Sequence, residues 1–486
     1  MSITQIGTIA LWILAILIPV QLIIGAVVAR KSGQSASHYF ISGKQLPLVL
    51  VFFADFATVM GVGNFIGYAG KGYEIGLNQF WMLAGEQGSK MIFAIFLAGM
   101  IGRYAYTTIN EFLEKELFHD KWLRAIGGIM MTLPMICWTG AQAIGIGTLL
   151  SVVMGIDPVS GIWAASLTAI LYTVMGGMWA IVWTDLLQGL IRIVVGAVFF
   201  VVVYMGVDGI GGIKTAVTAA KPELWSMNSL GFGAALSLLL TPLCGQFTFQ
   251  AWWQRCFSAK DAKTAQRGFF WTAVFAIFMC SASIMVGMAA YTINPNLPRP
   301  DMAFSWMLTS WLNPVLAALL VVTIIGADMT VSAGLLNSGV TLLLMDVIKP
   351  FFKPTASDAE LIKMGRWLTF VLGVGAVGVA FSFPSVLSAA LFGLAVTGGG
   401  LFMPLVLGLL LRDKNGGTYI TQNAAKASLI LGGGTAAVFQ YVPQLAKTFG
   451  GGIIPGICLS AVITLAVSVF EQARRKAKVT DSTNIQ

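Results

Sequence analysis

Long apolar stretches separated by short polar connections run the whole length of the chain. Of its 486 residues, 57% are hydrophobic and only 10% are charged, and the mean hydropathy is +0.83. A helix needs about 20 apolar residues to cross a bilayer, so the pattern predicts an all-α integral membrane protein. We predict about thirteen transmembrane helices, at residues 7–29, 46–70, 75–102, 125–152, 158–176, 180–206, 229–254, 268–293, 310–345, 367–383, 387–411, 425–442 and 452–470.

The basic residues are unevenly divided between the two sides of these spans. Connections on the side of the C-terminus carry 22 of the 29 lysines and arginines, and those on the other side carry five. The positive-inside rule therefore predicts an N-terminus outside and a C-terminus in the cytoplasm, across a plasma membrane of the bacterial inner-membrane kind. This topology explains the net charge of +9 without a nucleic-acid partner. The N-terminus lacks a cleavable signal, so the first helix is expected to stay.

Two spans carry matching interruptions near their middle. The second contains Met60-Gly61-Val62-Gly63-Asn64 and the seventh contains Thr241-Pro242-Leu243-Cys244-Gly245. Glycine frees the backbone and proline removes a donor, so main-chain groups there can face a cavity. Two broken helices five spans apart predict inverted repeats around a site at midplane. We place the repeats at 46–206 and 229–411, with 412–486 as additional C-terminal helices and tail. The alternative is that membrane helices simply tolerate these residues.

An acidic residue follows a Gly-Gly pair in the run from Tyr172 to Gln188, where Asp185 begins an apolar span. A carboxylate in a membrane helix is costly and marks an ion or substrate path. This run closely resembles the signature of the sodium:solute symporter family. The similarity extends over about residues 7–470 through three further motifs in the same order, Gly70–Leu77, Gln250–Arg255 and Ala333–Ser338. It implies a LeuT-type five-plus-five core that imports a small solute by alternating access, coupled to sodium.

The resemblance also implies a set of sodium ligands. By position these are Ala57, Met60, Ala327 and Thr330. A second hydroxyl is expected at the next position on the ninth span, but Val331 stands there and offers no oxygen. A water could replace that ligand, which keeps sodium as a possible coupling ion. Asp185 matches an acid tied to a further sodium position, whose expected hydroxyl partners fall at Ala333 and Gly334.

One arginine lies inside a predicted span. Arg192 comes two helical turns after the acid of the sixth span, about 10 Å deeper, and its guanidinium cannot lose its proton. We hypothesise that it replaces the sodium ion and is neutralised by Asp328 or Asp55, which gives proton-coupled or ion-independent transport. A structural Arg–Asp pair between helices is the alternative. In the third span, Glu86 and Lys90 are spaced to pair with each other.

Polar and aromatic residues near the two breaks are the candidates for substrate binding. They are Asn64 and Tyr68 in the second span, with Gln246, Phe249, Gln250 and Trp253 in the seventh. Local similarity at Gln250–Arg255 and Ser357–Glu360 favours the choline-transporting branch. The rings of Trp253, Phe249 and Tyr68 suit a quaternary ammonium, while a carboxylate at a broken-helix N-terminus fits equally well.

Other classes of protein fit less well. An enzyme needs a reactive constellation, whereas His38 and His119 are the only histidines, and the five cysteines show no metal-binding spacing. No cofactor is expected beyond the coupling ion. A transporter-like sensor or a channel remains the alternative of another class, although the polar tail is short and no pore-lining segment repeats. The expected partners are the bilayer, a small solute, and sodium or a proton.

Overall fold

The structure, a computed structural model, describes residues 3–32, 35–412 and 417–483. Its regular elements are helices, in the order α1 (Ile3–Ser32), α2 (Ala36–Ile41), α3 (Leu48–Val59), α4 (Tyr68–Ile75), α5 (Gln79–Ile92), α6 (Gly99–Ile101), α7 (Ile109–Phe112), α8 (Lys121–Met154), α9 (Pro158–Gly206), α10 (Gly209–Ala220), α11 (Phe232–Phe247), α12 (Gln250–Ser258), α13 (Ala262–Ile293), α14 (Met302–Trp311), α15 (Pro314–Leu342), α16 (Lys349–Phe351), α17 (Asp358–Ser382), α18 (Val386–Leu410), α19 (Gln422–Ala427), α20 (Gly433–Tyr441), α21 (Pro443–Phe449) and α22 (Ile453–Thr483). π-helical turns at Gly63–Gly67, Phe93–Ala98, Leu113–Phe118, Leu343–Ile348 and Ser428–Gly432, with 3₁₀ turns at Ser42–Lys44, Gly76–Asn78 and Pro222–Trp225, join several of them.

Within the described residues, eight helices are long and apolar enough to cross a membrane, or nine if one bent pair counts as a span. The all-α membrane architecture is confirmed, and the predicted number of thirteen is not. The apolar segments Gln5–Gln21 and Pro158–Val174 correspond to the first predicted span and the one at 158–176, and they belong to the longer helices α1 and α9. The span predicted at 425–442 is divided among α19, a π-helical turn and α20.

The predicted spans at 158–176 and 180–206 belong to one helical element, α9, of 49 residues. The Tyr172 hydroxyl is hydrogen-bonded to that of Thr184, twelve residues further along the chain. A straight helix would separate these residues by about 18 Å along its axis. The helix axis therefore bends sharply between Tyr172 and Thr184.

Two helices are broken, and one break lies elsewhere than the sequence predicted. Between α3 and the π-helical turn, residues 60–62 interrupt the helix, and the segments on either side differ in direction by 47°. This is the predicted interruption. In the seventh span, however, α11 continues through Pro242 to Phe247, and the break falls at Thr248 and Phe249. The proline is accommodated inside the helix, so the Thr241–Gly245 prediction was wrong by several residues.

The helices pack around a common buried core, and the outer surface of the bundle is also apolar. The most extensive packing joins α9 to α15, α5 to α11, α8 to α18 and α4 to α13. Small residues allow the last pair to approach closely, because a Cβ on Gly287 would lie 1.9 Å from the Ala69 carbonyl oxygen. Trp12, Phe96 and Phe278 are each at least 70% exposed, as expected for side chains that face lipid.

Candidate ion and substrate sites at two helix breaks

The break after α3 turns two main-chain carbonyls toward a single side chain. Arg192, on α9, is fully buried. Its Nη1 donates to the carbonyl oxygen of Met60 at 2.7 Å and to that of Ala57 at 3.1 Å. Met60 has left helical geometry, with ψ at 38°, so its carbonyl is free to accept. A cationic donor thus occupies the oxygen pair that the family resemblance assigned to sodium.

The remaining predicted sodium ligands lie opposite, on α15. The Thr330 hydroxyl donates to the Ala327 carbonyl at 3.2 Å. Val331 packs against the break, since a Cβ on Gly61 would lie 3.2 Å from its Cγ2. On the α3 side of the predicted ion site a guanidinium therefore binds the two carbonyls, and on the α15 side Val331 presents an isopropyl group, which supplies no oxygen.

Asp185 is buried on the same helix as this arginine, seven residues before it. Its carboxylate is attracted by the positive charges of Arg255 and Arg192. Arg255 donates to the Ala251 carbonyl at 2.9 Å and to the Thr58 hydroxyl. A Cβ on Gly334 would lie 3.2 Å from its Nη2. At the further sodium position, a second guanidinium thus lies where the family pattern expects a hydroxyl.

The carboxylates predicted to neutralise Arg192 are placed elsewhere. Asp55 forms an ion pair with Lys90 at 2.8 Å, both side chains being fully buried, and Lys90 lies over the Trp252 ring at 4.7 Å. Asp328 accepts a hydrogen bond from Ser332 and faces away, toward α1. The charge that acts on Arg192 is Asp185, so the prediction of Asp328 or Asp55 as its partner was wrong. Lys90 reaches across to α3 instead of pairing with Glu86.

Counted together, the buried charges around the break balance. Three acids (Asp55, Glu86 and Asp185) and three bases (Lys90, Arg192 and Arg255) lie there, each at most 1% exposed. Their formal charges sum to zero without any ion; this count does not include Asp328, whose carboxylate faces the α1 side of α15. Adding a monovalent cation would leave one uncompensated charge in a low-dielectric interior, which is costly. The electrostatics of this region therefore oppose sodium as long as all six groups are ionised.

Glu86 organises the predicted substrate residues of the first break. The Tyr68 hydroxyl donates to one of its carboxylate oxygens at 2.6 Å and the Asn64 amide donates to the other at 3.2 Å. All three side chains are buried. The structure thus brings Asn64 and Tyr68 together around Glu86, the acid whose spacing in the sequence suggested a pair with Lys90.

Helix α8 contacts both breaks and was missed as a source of site residues. The Gln142 side-chain oxygen accepts from the Val62 amide at 2.9 Å, at the first break. One turn earlier, the Trp138 ring lies 5.8 Å from that of Phe249, at the second. Among the described residues, the Gln142 and Trp138 side-chain nitrogens and the side-chain oxygens of Asn64 and Gln246 lack hydrogen-bond partners. A glutamine one turn from a tryptophan inside an apolar span was the signal in the sequence.

Gln250 and Trp253, on α12, form hydrogen bonds with main-chain groups. Gln250 accepts from the Ile109 amide and donates to the Thr107 carbonyl, both at 3.0 Å. The Trp253 indole donates to the Phe247 carbonyl at 2.8 Å, and its ring packs against Phe112. Their polar groups are satisfied by main chain, so in this structure both side chains hold α12 in place.

Broken helices, main-chain carbonyls turned inward and buried compensated charges define a secondary transporter. The model of the sodium:solute symporter family matches residues 39–417. The chain belongs to that family, is a solute symporter by class and is not an enzyme. It is 27% identical to the sodium/glucose cotransporter of Vibrio parahaemolyticus, over 79% of this chain and 80% of that one. It is 25% identical to a high-affinity proline transporter of Bacillus subtilis, over 94% and 97%.

A solved structure confirms the LeuT-type fold. It is that of a substrate-bound, outward-open, Na⁺-coupled sialic acid symporter, which matches with a TM-score of 0.78 at 20% identity. The match covers 96% of this chain and 98% of the other. At that identity, the match shows the fold alone. The solute and the coupling ion of this chain have to be inferred from its own residues.

Proposed function

We propose that this chain moves a small polar organic solute across the plasma membrane by alternating access, with Arg192 taking the place of the sodium ion. The observation that carries the proposal is the pair of hydrogen bonds from its guanidinium to the Ala57 and Met60 carbonyls. A bound sodium ion would tie the broken helix to α15 through those same oxygens. The guanidinium ties it to α9 permanently, and no ion has to bind or leave.

The solute is proposed to bind between the two breaks. Asn64, Tyr68 and Glu86 form one side, with Gln246 and Phe249 on the other. Trp138 and Gln142 connect them through α8. Transport would then rely on concentration-driven exchange or on a proton, because family members for which sodium is the coupling ion use the position filled here. The chain is oriented with its N-terminus outside and its C-terminus in the cytoplasm, as its charge distribution predicts.

Flux in proteoliposomes tests the proposal. Purified protein is reconstituted and offered labelled choline, betaine, proline and short carboxylates under a sodium gradient, a proton gradient or neither, with potassium replacing sodium. Uptake or counterflow of one solute at the same rate with and without sodium supports the proposal. Uptake driven by a sodium gradient alone would overturn it and would show that a water substitutes for the Val331 ligand. Current without saturation would indicate a channel.

A further inference from the structure

A second cavity lies away from the helix breaks, on the side of the molecule covered by α1. Its volume is about 210 Å³, and helices α1, α8, α9 and α15 supply its walls. Its lining is apolar apart from Thr168 and Asp328, and it includes Leu14, Ile18, Leu150 and Ala165. The Thr168 hydroxyl is engaged with the Ala164 carbonyl at 2.7 Å. The carboxylate is therefore the polar group that the cavity offers.

Asp328 is poorly compensated for a charge at this depth. It lies at the middle of α15, fourteen residues from either end and so about 21 Å from each along the axis. It is 2% exposed, and among the described residues its hydrogen-bond donor is Ser332, at 3.2 Å. Among the side chains that the structure describes, no lysine, arginine or histidine of the four helices lines the cavity. A buried carboxylate of this kind needs a cation or a proton to neutralise it.

The cavity is reached from the bilayer. Leu11, on its rim, is 58% exposed, and α1 presents other apolar side chains to the surroundings, among them Trp12 and Ile16. A ligand that partitions into hydrocarbon can therefore arrive between α1 and α9 without crossing the substrate site.

From this geometry we infer a binding site for a small lipophilic amine, with the ammonium on Asp328 and the apolar body among the leucines and isoleucines. Empty apolar cavities of about 150 Å³ already accommodate a benzene ring, so 210 Å³ holds a ring that carries an aminomethyl group. The site is independent of Arg192 and of the solute path. Because an amine there connects α1 and α9 to α15, it would stabilise one arrangement of these helices and slow transport.

Ligand-observed ¹⁹F NMR on protein in nanodiscs tests the site, with 4-fluorobenzylamine and the nearly isosteric 4-fluorobenzyl alcohol as probes. Empty nanodiscs give the contribution of the lipid. We expect the amine to bind wild type at least tenfold more tightly than the alcohol, and Asp328→Asn to bring the amine to the level of the alcohol. Thr168→Val keeps the charge and the shape, so it should bind both probes as wild type does.

A second variant keeps the test decisive should Asp328→Asn fold poorly. Leu14→Trp fills the cavity and leaves the carboxylate in place, and it should abolish binding of both probes. Equal affinity of wild type for the two probes would overturn the proposal, because it would show a neutral, purely apolar cavity. Amine binding that survives Leu14→Trp would place the amine elsewhere and overturn it too.

Discussion

Replacing Arg192 by alanine should convert a sodium-indifferent protein into one that sodium stabilises. The substitution leaves the Ala57 and Met60 carbonyls buried without the donor that now satisfies them. Hydrogen bonds from a charged donor contribute about 1.5–3 kcal/mol each, so about 3–6 kcal/mol of interaction is lost. Part of this loss is offset, since a buried guanidinium no longer has to be desolvated.

Sodium can restore part of the lost stability because the carbonyl oxygens that the substitution leaves without a donor are those the family uses for the ion. At a concentration one hundred times its dissociation constant, a ligand that binds only the folded state stabilises it by about 2.7 kcal/mol. Adding Val331→Ser supplies the absent hydroxyl beside Gly61 and should increase the effect of sodium further.

Thermal unfolding of the purified protein in sodium chloride and in potassium chloride, at equal ionic strength, measures these effects. Wild type should give the same midpoint in both salts. Arg192→Ala should unfold at a lower temperature in potassium and recover partly in sodium, and the double variant should recover more. Arg103→Ala, at an exposed position, is the matched control and should behave as wild type. The reasoning is refuted if sodium selectively stabilises wild type, or if Arg192→Ala is as stable as wild type and insensitive to sodium.

Further predictions concern the other buried charges and the topology. Because each partner of the Lys90–Asp55 pair is fully buried, Lys90→Met or Asp55→Asn alone should destabilise by about 3–5 kcal/mol in thermal unfolding, while the double variant should be nearly as stable as wild type; additive losses would contradict this. Glu86→Gln keeps the shape but puts an amide against the Asn64 donor, so the affinity for the solute should fall at least tenfold in binding measurements; unchanged affinity would remove Glu86 from the site. In a background without the exposed native cysteine, a cysteine at Lys214 should react with an impermeant maleimide on intact cells and one at Lys263 only after lysis, and the reverse pattern would invert the proposed orientation.

The fold was predictable because the length of an apolar stretch indicates whether it can cross the bilayer, and glycines within such a stretch indicate where the helix is interrupted. The break at Met60 to Val62 was found this way, since Gly61 and Gly63 interrupt an apolar run. The second break was misplaced because Pro242 was taken as its cause. Tertiary packing keeps that proline inside α11. A helix end that is determined by packing cannot be read from the amino-acid composition.

The candidate site was predictable where a residue was unusual by itself. An arginine inside an apolar span had to be compensated, so Arg192 could be identified, and its approach to the broken helix followed from the helical spacing. The acid that compensates Arg192 could not be identified in the same way. Several acids occur at similar depth, and only the packing of α3, α9 and α15 determines which of them lies near the guanidinium. The surroundings of Gln250 and Trp253 could not be predicted for a related reason, since sequence distance from the break does not reveal that main-chain groups satisfy their polar atoms.

Equilibrium binding of ²²Na⁺ to the purified protein tests the central claim most directly. If Arg192 occupies the ion position, wild type shows no saturable sodium binding, and the variant carrying Arg192→Ala with Val331→Ser acquires a site that unlabelled sodium displaces and potassium does not. Stoichiometric, potassium-resistant binding of sodium to wild type would contradict the account and return this chain to sodium coupling.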